Sequence, residues 1–310
     1  MLWGALAQSV PDVDFIAAFW MNSVNNLLAH RGFTHSILFA LIITPVLAMT
    51  AERWHRPHNI SYKKWSLFFG AQILTHLLID VCNSYGVGWF IPFSSVRISF
   101  NILYVVDPFF SIWPGMAALA LIILRKRNRH RKTIWRLGVL FCAAYMLYAL
   151  VNKTLIDGSV RKRFEAQHIV HSRYFTTPTP LNTWLWYIVA ENDSGFNIGY
   201  RSVFDRQEKI SFQYFPRNKN LLTPIIDHED VQRLIRFSNG YYSVEKWNDT
   251  LVFNDLRFGQ IVGWKDPRER FVFHYFLEHP NDNTLVVQRG RFAKWDWDVA
   301  KSFIRRIEGN

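Results

Sequence analysis

The feature that most constrains this chain is the alternation, within its first 152 residues, of four apolar segments with short charged loops. Residues 36–50 read SILFALIITPVLAMT, and residues 66–82 hold no charge before Asp80. Residues 105–124 hold only Asp107, and residues 135–151 hold only Arg136. A bilayer core of about 30 Å takes about 20 residues of helix to cross. The first two segments reach that length only if flanking residues extend the helix. Buried core helices of a soluble protein would leave the basic clusters between the segments unexplained. The pattern predicts an α-helical integral membrane domain.

The loops alternate in charge. Residues 51–65 carry Arg53, Arg56, Lys63 and Lys64, and residues 125–134 carry Arg125, Lys126, Arg127, Arg129, Arg131 and Lys132. Residues 83–104 carry only Arg97. Lysine and arginine mark cytoplasmic loops, so the first and third loops are expected inside. Residues 1–35, the second loop and everything after residue 152 are then expected outside. Up to residue 152 there are 13 Lys/Arg against 5 Asp/Glu, and beyond it 23 against 19. The net charge of +12 is therefore mostly an excess of cations in an apolar half. That distribution fits membrane loops better than a nucleic-acid face, where basic and polar residues share one helix. The expected partner is the lipid bilayer, and no nucleic acid is expected. The start shows no basic n-region and no A-x-A site, so a cleaved secretory signal is not expected. Cys82 and Cys142 both lie in apolar surroundings and form neither a disulfide framework nor a thiolate metal site.

Four of the five carboxylates before residue 152, Asp12, Asp14, Asp80 and Asp107, lie in or beside apolar sequence, where an ionised group is costly and usually functional. His76 and Asp80 are four apart on a helix and share a face, as two ligands or as a ligand and its orienting partner. His30 and His35 flank a glycine turn in HRGFTHS. Asp12 and Asp14 flank one residue in a stretch read as extended, which puts both on one side. Asp107 precedes Pro108 at a helix start, where capping competes with a site role. The predicted topology brings all seven to the outward face. Such a set, with only Arg31 and Arg97 as nearby cations, calls for a divalent metal. Zinc suits it, and manganese or magnesium also fit the harder ligands. Asp14 or Asp107 could serve as general base, and Arg31 could steady an anionic transition state.

From Thr176 the texture changes. Segments 184–190, 196–204, 210–215, 241–246, 251–253, 260–263 and 271–277 read as strands, and 153–171, 228–236 and 294–307 as helices. The expectation is a small α+β domain over residues 153–310, following a multi-helix membrane domain over residues 1–152. His228-Glu229-Asp230 reads as a helix cap region, and Asp255 with Arg257 as a structural pair.

The run PDVD, then HRGFTHS, then THLLID, then Asp107-Pro108, resembles the YdjM-type, LexA-binding, inner-membrane-associated metal-dependent hydrolases. The resemblance covers roughly residues 1–150. It implies metal ligation by Asp12, Asp14, His30, His35, His76 and Asp80, with Asp107 beside them. It also implies a distant likeness to zinc phospholipase C and related zinc nucleases, and hence phosphoester hydrolysis. The resulting expectation is a multi-pass protein of the bacterial inner membrane with an exported C-terminal domain. It would hydrolyse a phosphoester or lipid-linked substrate at the outer face. The alternatives are a transporter or non-catalytic metal-binding membrane protein, and an anchor whose exported domain binds a partner.

Overall fold

The computed structural model describes residues 2–55, 60–278, 283, 292 and 294–310. Arg56 and His58 of the first basic loop lie outside the described residues. The N-terminal half is helical and the C-terminal half carries two sheets of antiparallel strands. In order, the helices are α1 (Leu2–Ser9), α2 (Ser23–Ala29), α3 (Ile37–Trp54), α4 (Tyr62–Asp80), α5 (Pro108–Ile123) and α6 (Arg131–Ala166). They are followed in the second half by α7 (Glu229–Phe237) and α8 (Trp297–Glu308). The strands are β1 (Arg173–Pro178), β2 (Leu185–Glu191), β3 (Gly195–Ser202), β4 (Phe212–Pro216), β5 (Tyr242–Trp247), β6 (Thr250–Gln260) and β7 (Phe271–Phe276). One sheet has the order β1-β2-β3-β4 and the other β5-β6-β7.

The chain forms two compact units. One comprises Met1–Phe100, Lys219–Phe253 and Tyr275–Leu285, and the other Asn101–Asn218, Asn254–His274 and Val286–Asn310. The division differs from a single boundary at residue 152, because α6 is one continuous helix of 36 residues that runs through that point.

In the first unit, α3 and α4 pair and α1 lies against α4. Small residues Ala7, Ala48 and Ala51 admit Trp65 and Phe69 between the helices, and Trp3 packs edge-on to both rings. Ser36 starts α3 by accepting from the Phe39 amide at 3.0 Å. Only Ala48 and Ala51 of α3 are buried, so most of its apolar side chains face outward.

In the second unit, α6 changes partner along its length. Before Ala149 only Gly138 is buried. A Cβ there would come within 2.5 Å of Ala117, so the glycine permits close approach of α5. Beyond it, Asn152, Ile156, Val160 and Phe164 recur at helical spacing. Ile156, Val160 and Phe164 form a core with Trp186, Ile188 and Ala190 of β2, alternate residues of one strand face. The register Ile188↔Gly199 and Tyr187↔Tyr200 continues the sheet into β3. Arg306 of α8 donates to Asp205 at 2.7 Å and to the Tyr200 carbonyl at 2.8 Å.

Segments 251–253 and 260–263 were expected as two strands. Instead, β6 runs unbroken from Thr250 to Gln260, and residues 261–264 form bends and turns. Asp255 and Arg257 sit buried within β6 as a pair at 2.6 Å. His228 caps α7, its ring accepting from the Asp230 amide.

Among the described residues two helices, α3 and α6, are long and apolar enough to cross a membrane, and 11% of each apolar stretch is buried. Helix α5 is apolar but shorter, with no buried residue.

Candidate metal centre

The site is assembled in the first unit from the segment before α2, the turn before α3 and the end of α4. Pro11 opens a 3-10 helix, Pro11–Phe19, rather than the extended stretch expected. Proline at the first helical position fixes φ where no amide partner is needed. Three residues per turn then separate Asp12 from Asp14 instead of aligning them. Asp14 is buried, whereas the Asp12 side chain is 52% exposed.

The turn HRGFTHS is held by its backbone. Arg31 adopts a left-handed φ of 55°, and its amide donates to Asp14 Oδ2 at 2.7 Å. At Gly32 a Cβ would meet the Leu28 and Ala29 carbonyl oxygens at 2.9 and 2.8 Å, so only glycine fits. The short 3-10 turn Phe33–His35 then carries His35 into full burial.

Four donor atoms converge. His35 Nε2 lies 3.1 Å from Asp80 Oδ2, 3.3 Å from His76 Nε2 and 3.5 Å from Asp12 Oδ1. His76 Nε2 lies 3.3 Å from Asp80 Oδ2 and 3.6 Å from Asp12 Oδ1. One atom from each of the four residues falls within 4.8 Å of every other. Ligands about 2.0 Å from a tetrahedral zinc are separated by about 3.3 Å, and the five separations just given run from 3.1 to 3.6 Å. Asp80 Oδ2 is buried, and both imidazole Nε2 atoms face it, at 3.1 and 3.3 Å. Two neutral imidazoles and two carboxylates carry the charge that balances a divalent cation. Asp12, His35, His76 and Asp80 are therefore the residues that could hold a metal.

The six residues expected as ligands divide into two groups. Asp14 and His30 stand behind the four donors. Asp14 Oδ2 lies 3.3 Å from His35 Nδ1 and accepts from Thr34 Oγ1 at 3.3 Å, while its Oδ1 faces His30 Nδ1 at 3.3 Å. With Asp14 holding Nδ1, His35 presents Nε2 to the cluster, an arrangement that orients metal-binding histidines. Arg31 was expected to face a transition state. Its guanidinium instead braces Asp80, with Nη2 3.1 Å from Oδ1, and donates to Asn83 Oδ1 at 2.8 Å.

Asp107 belongs to the second unit. It caps α5 by accepting from the Phe109 and Phe110 amides at 2.9 and 3.2 Å, and Tyr145 donates to its other oxygen at 2.9 Å.

Electrostatics follow the geometry. The His35 and His76 imidazoles beside it hold the Asp12 carboxyl well below the usual range. Burial alone would raise Asp14, but His30, His35 and the Arg31 amide lower it. Burial would lower His35, yet the carboxylates of Asp12, Asp14 and Asp80 around its ring push it up to about 10. The pocket thus favours positive charge where the donors meet.

Reasoning from sequence missed the frame around these residues. Arg97 is buried and donates to the His30 and Gly86 carbonyls at 2.8 and 3.0 Å. Its guanidinium lies 5.5 Å from the ring of Phe237, on α7, which itself packs against α2. The solitary cation of residues 83–104 was the signal for this clamp; nothing local announces Phe237, 140 residues away.

A family model described as YdjM inner membrane protein matches residues 1–156. Inner membrane protein YbcI of Escherichia coli (strain K12) is 33% identical over 96 residues, 30% of this chain and 54% of that protein. Uncharacterized protein YfhP of Bacillus subtilis (strain 168) is 28% identical over 202 residues, 62% of this chain and 55% of that protein. The chain spans about half the length of these curated relatives. No solved structure matches it.

Proposed function

Because this chain belongs to the YdjM inner membrane protein family, we propose a membrane-bound, metal-dependent hydrolase with its site at the outer face of the inner membrane. The observation that carries the reading is the four-donor cluster, in which both imidazole Nε2 atoms converge on the buried Asp80 Oδ2. In this reading zinc is the preferred cation of an N2O2 set, with manganese or magnesium as substitutes. A divalent cation bound there supplies Lewis acidity and makes water nucleophilic near neutral pH.

The chain's own residues do the rest. Asp14 fixes the His35 tautomer, and Arg31 holds one oxygen of Asp80 so that the other turns inward. Asp12, the half-exposed member, borders the approach to the cluster. His30 stands behind the cluster, its Nδ1 3.3 Å from Asp14 Oδ1. A phosphoester or lipid-linked substrate suits a site at the start of apolar helices. In this topology α3 to α6 cross the bilayer, with Arg125–Lys132 cytoplasmic and the C-terminal domain exported.

The test is release of phosphate or headgroup from phospholipids and lipid-linked phosphates by purified protein. Activity should vanish with chelator, return with zinc, and be absent in Asp80→Asn. Full activity in chelator, or an Asp80→Asn protein as active as wild type, would contradict the proposal.

A further inference from the structure

The burial of the 3-10 helix Pro11–Phe19 follows its period of three. Pro11, Asp14 and Ala17 are buried, and the other two rows are exposed. Side chains three apart eclipse in such a helix, so Asp12 shares a row with Phe15 while Val13, Ile16 and Phe19 form the third. Apart from Asp12, the exposed rows are apolar. Phe15, Phe19 and the following Trp20 are 62, 79 and 68% exposed.

Two adjoining segments of the same unit repeat this. Phe33 is exposed on the 3-10 turn that packs against Pro11–Phe19. Phe93, 84% exposed, lies on the loop tied to the site by Gly88 N donating to Arg31 O and Ile37 N donating to Trp89 O. From Ile37 the exposed apolar surface continues down α3 through Leu41, Ile42, Val46 and Met49. The far end of the α3–α4 pair carries Arg53, Lys63 and Lys64. Aromatic side chains gather at both membrane–water boundaries and basic ones at the cytoplasmic one; here exposed Trp54 joins Arg53 at the basic end, and the aromatic cluster without cations marks the other.

We infer that Phe15, Phe19, Trp20, Phe33 and Phe93 form a lipid-docking surface that seats the Asp12–His35–His76–Asp80 cluster at the headgroup–acyl boundary, making a bilayer lipid the substrate. The substrate assignment rests on the hydrolase reading; the docking surface does not. A lipid in the outer leaflet presents its headgroup linkage at that depth and reaches Asp12 laterally, past Phe15. Hydrolysis consumes one water, its hydroxyl going to the electrophilic centre and its proton to the leaving oxygen. Docking is apolar, because Asp12 is the only charged residue on the exposed rows, so it does not require anionic lipid.

The full chain is reconstituted in phosphatidylcholine vesicles, with and without phosphatidylglycerol. Phe19→Cys, in a Cys82→Ala/Cys142→Ala background, carries an environment-sensitive fluorophore. Lipids with a nitroxide on the acyl chain should quench it and aqueous iodide should not. A Glu208→Cys label, at an 86% exposed side chain, should show the reverse. Iodide quenching at position 19 without nitroxide quenching would overturn the docking surface. Separately, Phe19→Ser/Trp20→Ser should keep its metal and its turnover of a monomeric short-chain phospholipid. Its turnover of long-chain lipid in vesicles should fall roughly tenfold or more, since each ring loses its interfacial seat. Unchanged vesicle turnover would overturn the substrate assignment. If wild-type protein hydrolyses neither lipid, the hydrolase reading fails and the substrate assignment with it, and quenching still decides the docking surface.

Discussion

Asp12 and Asp14 show how two residues of one short motif acquire different tasks. Both are acidic and both approach His35, but from opposite ring nitrogens: Asp12 faces Nε2 and Asp14 faces Nδ1. Asp14→Asn should therefore weaken metal affinity about 10- to 100-fold without removing the site, the usual cost of losing an orienting partner. Asp12→Asn removes a donor and should cost more, and metal titration of the two purified variants would rank them. Equal loss in both would place Asp14 among the ligands. The same residues set a pH dependence. His35 rises from 6.5 to about 10 on folding, so its proton stabilises the metal-free protein fully below pH 6.5, and that contribution is lost as pH climbs toward 10. Asp12 and Asp14 are lowered, so their contribution is present above the ordinary value of 3.8 and fades as pH falls below it. Metal must displace the His35 proton, so stabilisation by added zinc should grow from pH 6 to pH 8 in thermal melts. A shift that shrinks with pH would argue against His35 as a ligand.

At the scale of elements, periodicity carried most of what could be read in advance. The four apolar segments became α3 to α6, and strands such as β2 and β7 lie within a residue or two of their aromatic and β-branched runs. What escaped depends on geometry that is not local. The stretch around Asp12 looked extended because Asp and Val are poor helix formers; Pro11 and the contacts of the next turn made it a 3-10 helix. Helix α6 looked like two pieces because its first part is apolar and its second amphipathic, yet no breaker stands between them. Asp107 could be read as cap or site residue from sequence, and its partners are the amides of α5 and the Tyr145 hydroxyl. Asp107→Ala should destabilise the protein by about 0.5–2 kcal/mol, as loss of a helix cap does, and leave metal content unchanged. Loss of metal in that variant, with folding intact, would return Asp107 to the site.

For the whole molecule, the residues of the candidate site were more legible than the organisation. The six His and Asp residues named from PDVD, HRGFTHS and THLLID all fall in one unit, with four of them presenting a donor to a common point. The units themselves each draw on three stretches of chain, including α7 and part of β6 for the one that holds the site. No composition shift marks those exchanges, because they are made by contacts between residues more than a hundred positions apart. The orientation proposed from the charge of the loops gives a further prediction. Reporter fusions near residue 130 should be active only in the cytoplasm, and fusions at the C-terminus only outside. A cytoplasmic C-terminus would remove the argument that places the site at the outer face. The central claim is that Asp12, His35, His76 and Asp80 hold a divalent cation, and elemental analysis of the purified full chain tests it most directly. The wild-type protein should carry about one divalent ion per chain, the number a single N2O2 site holds, and both His35→Ala and His76→Ala should fall far below it. Absence of any divalent ion from the wild type, or undiminished metal in both variants, would contradict it.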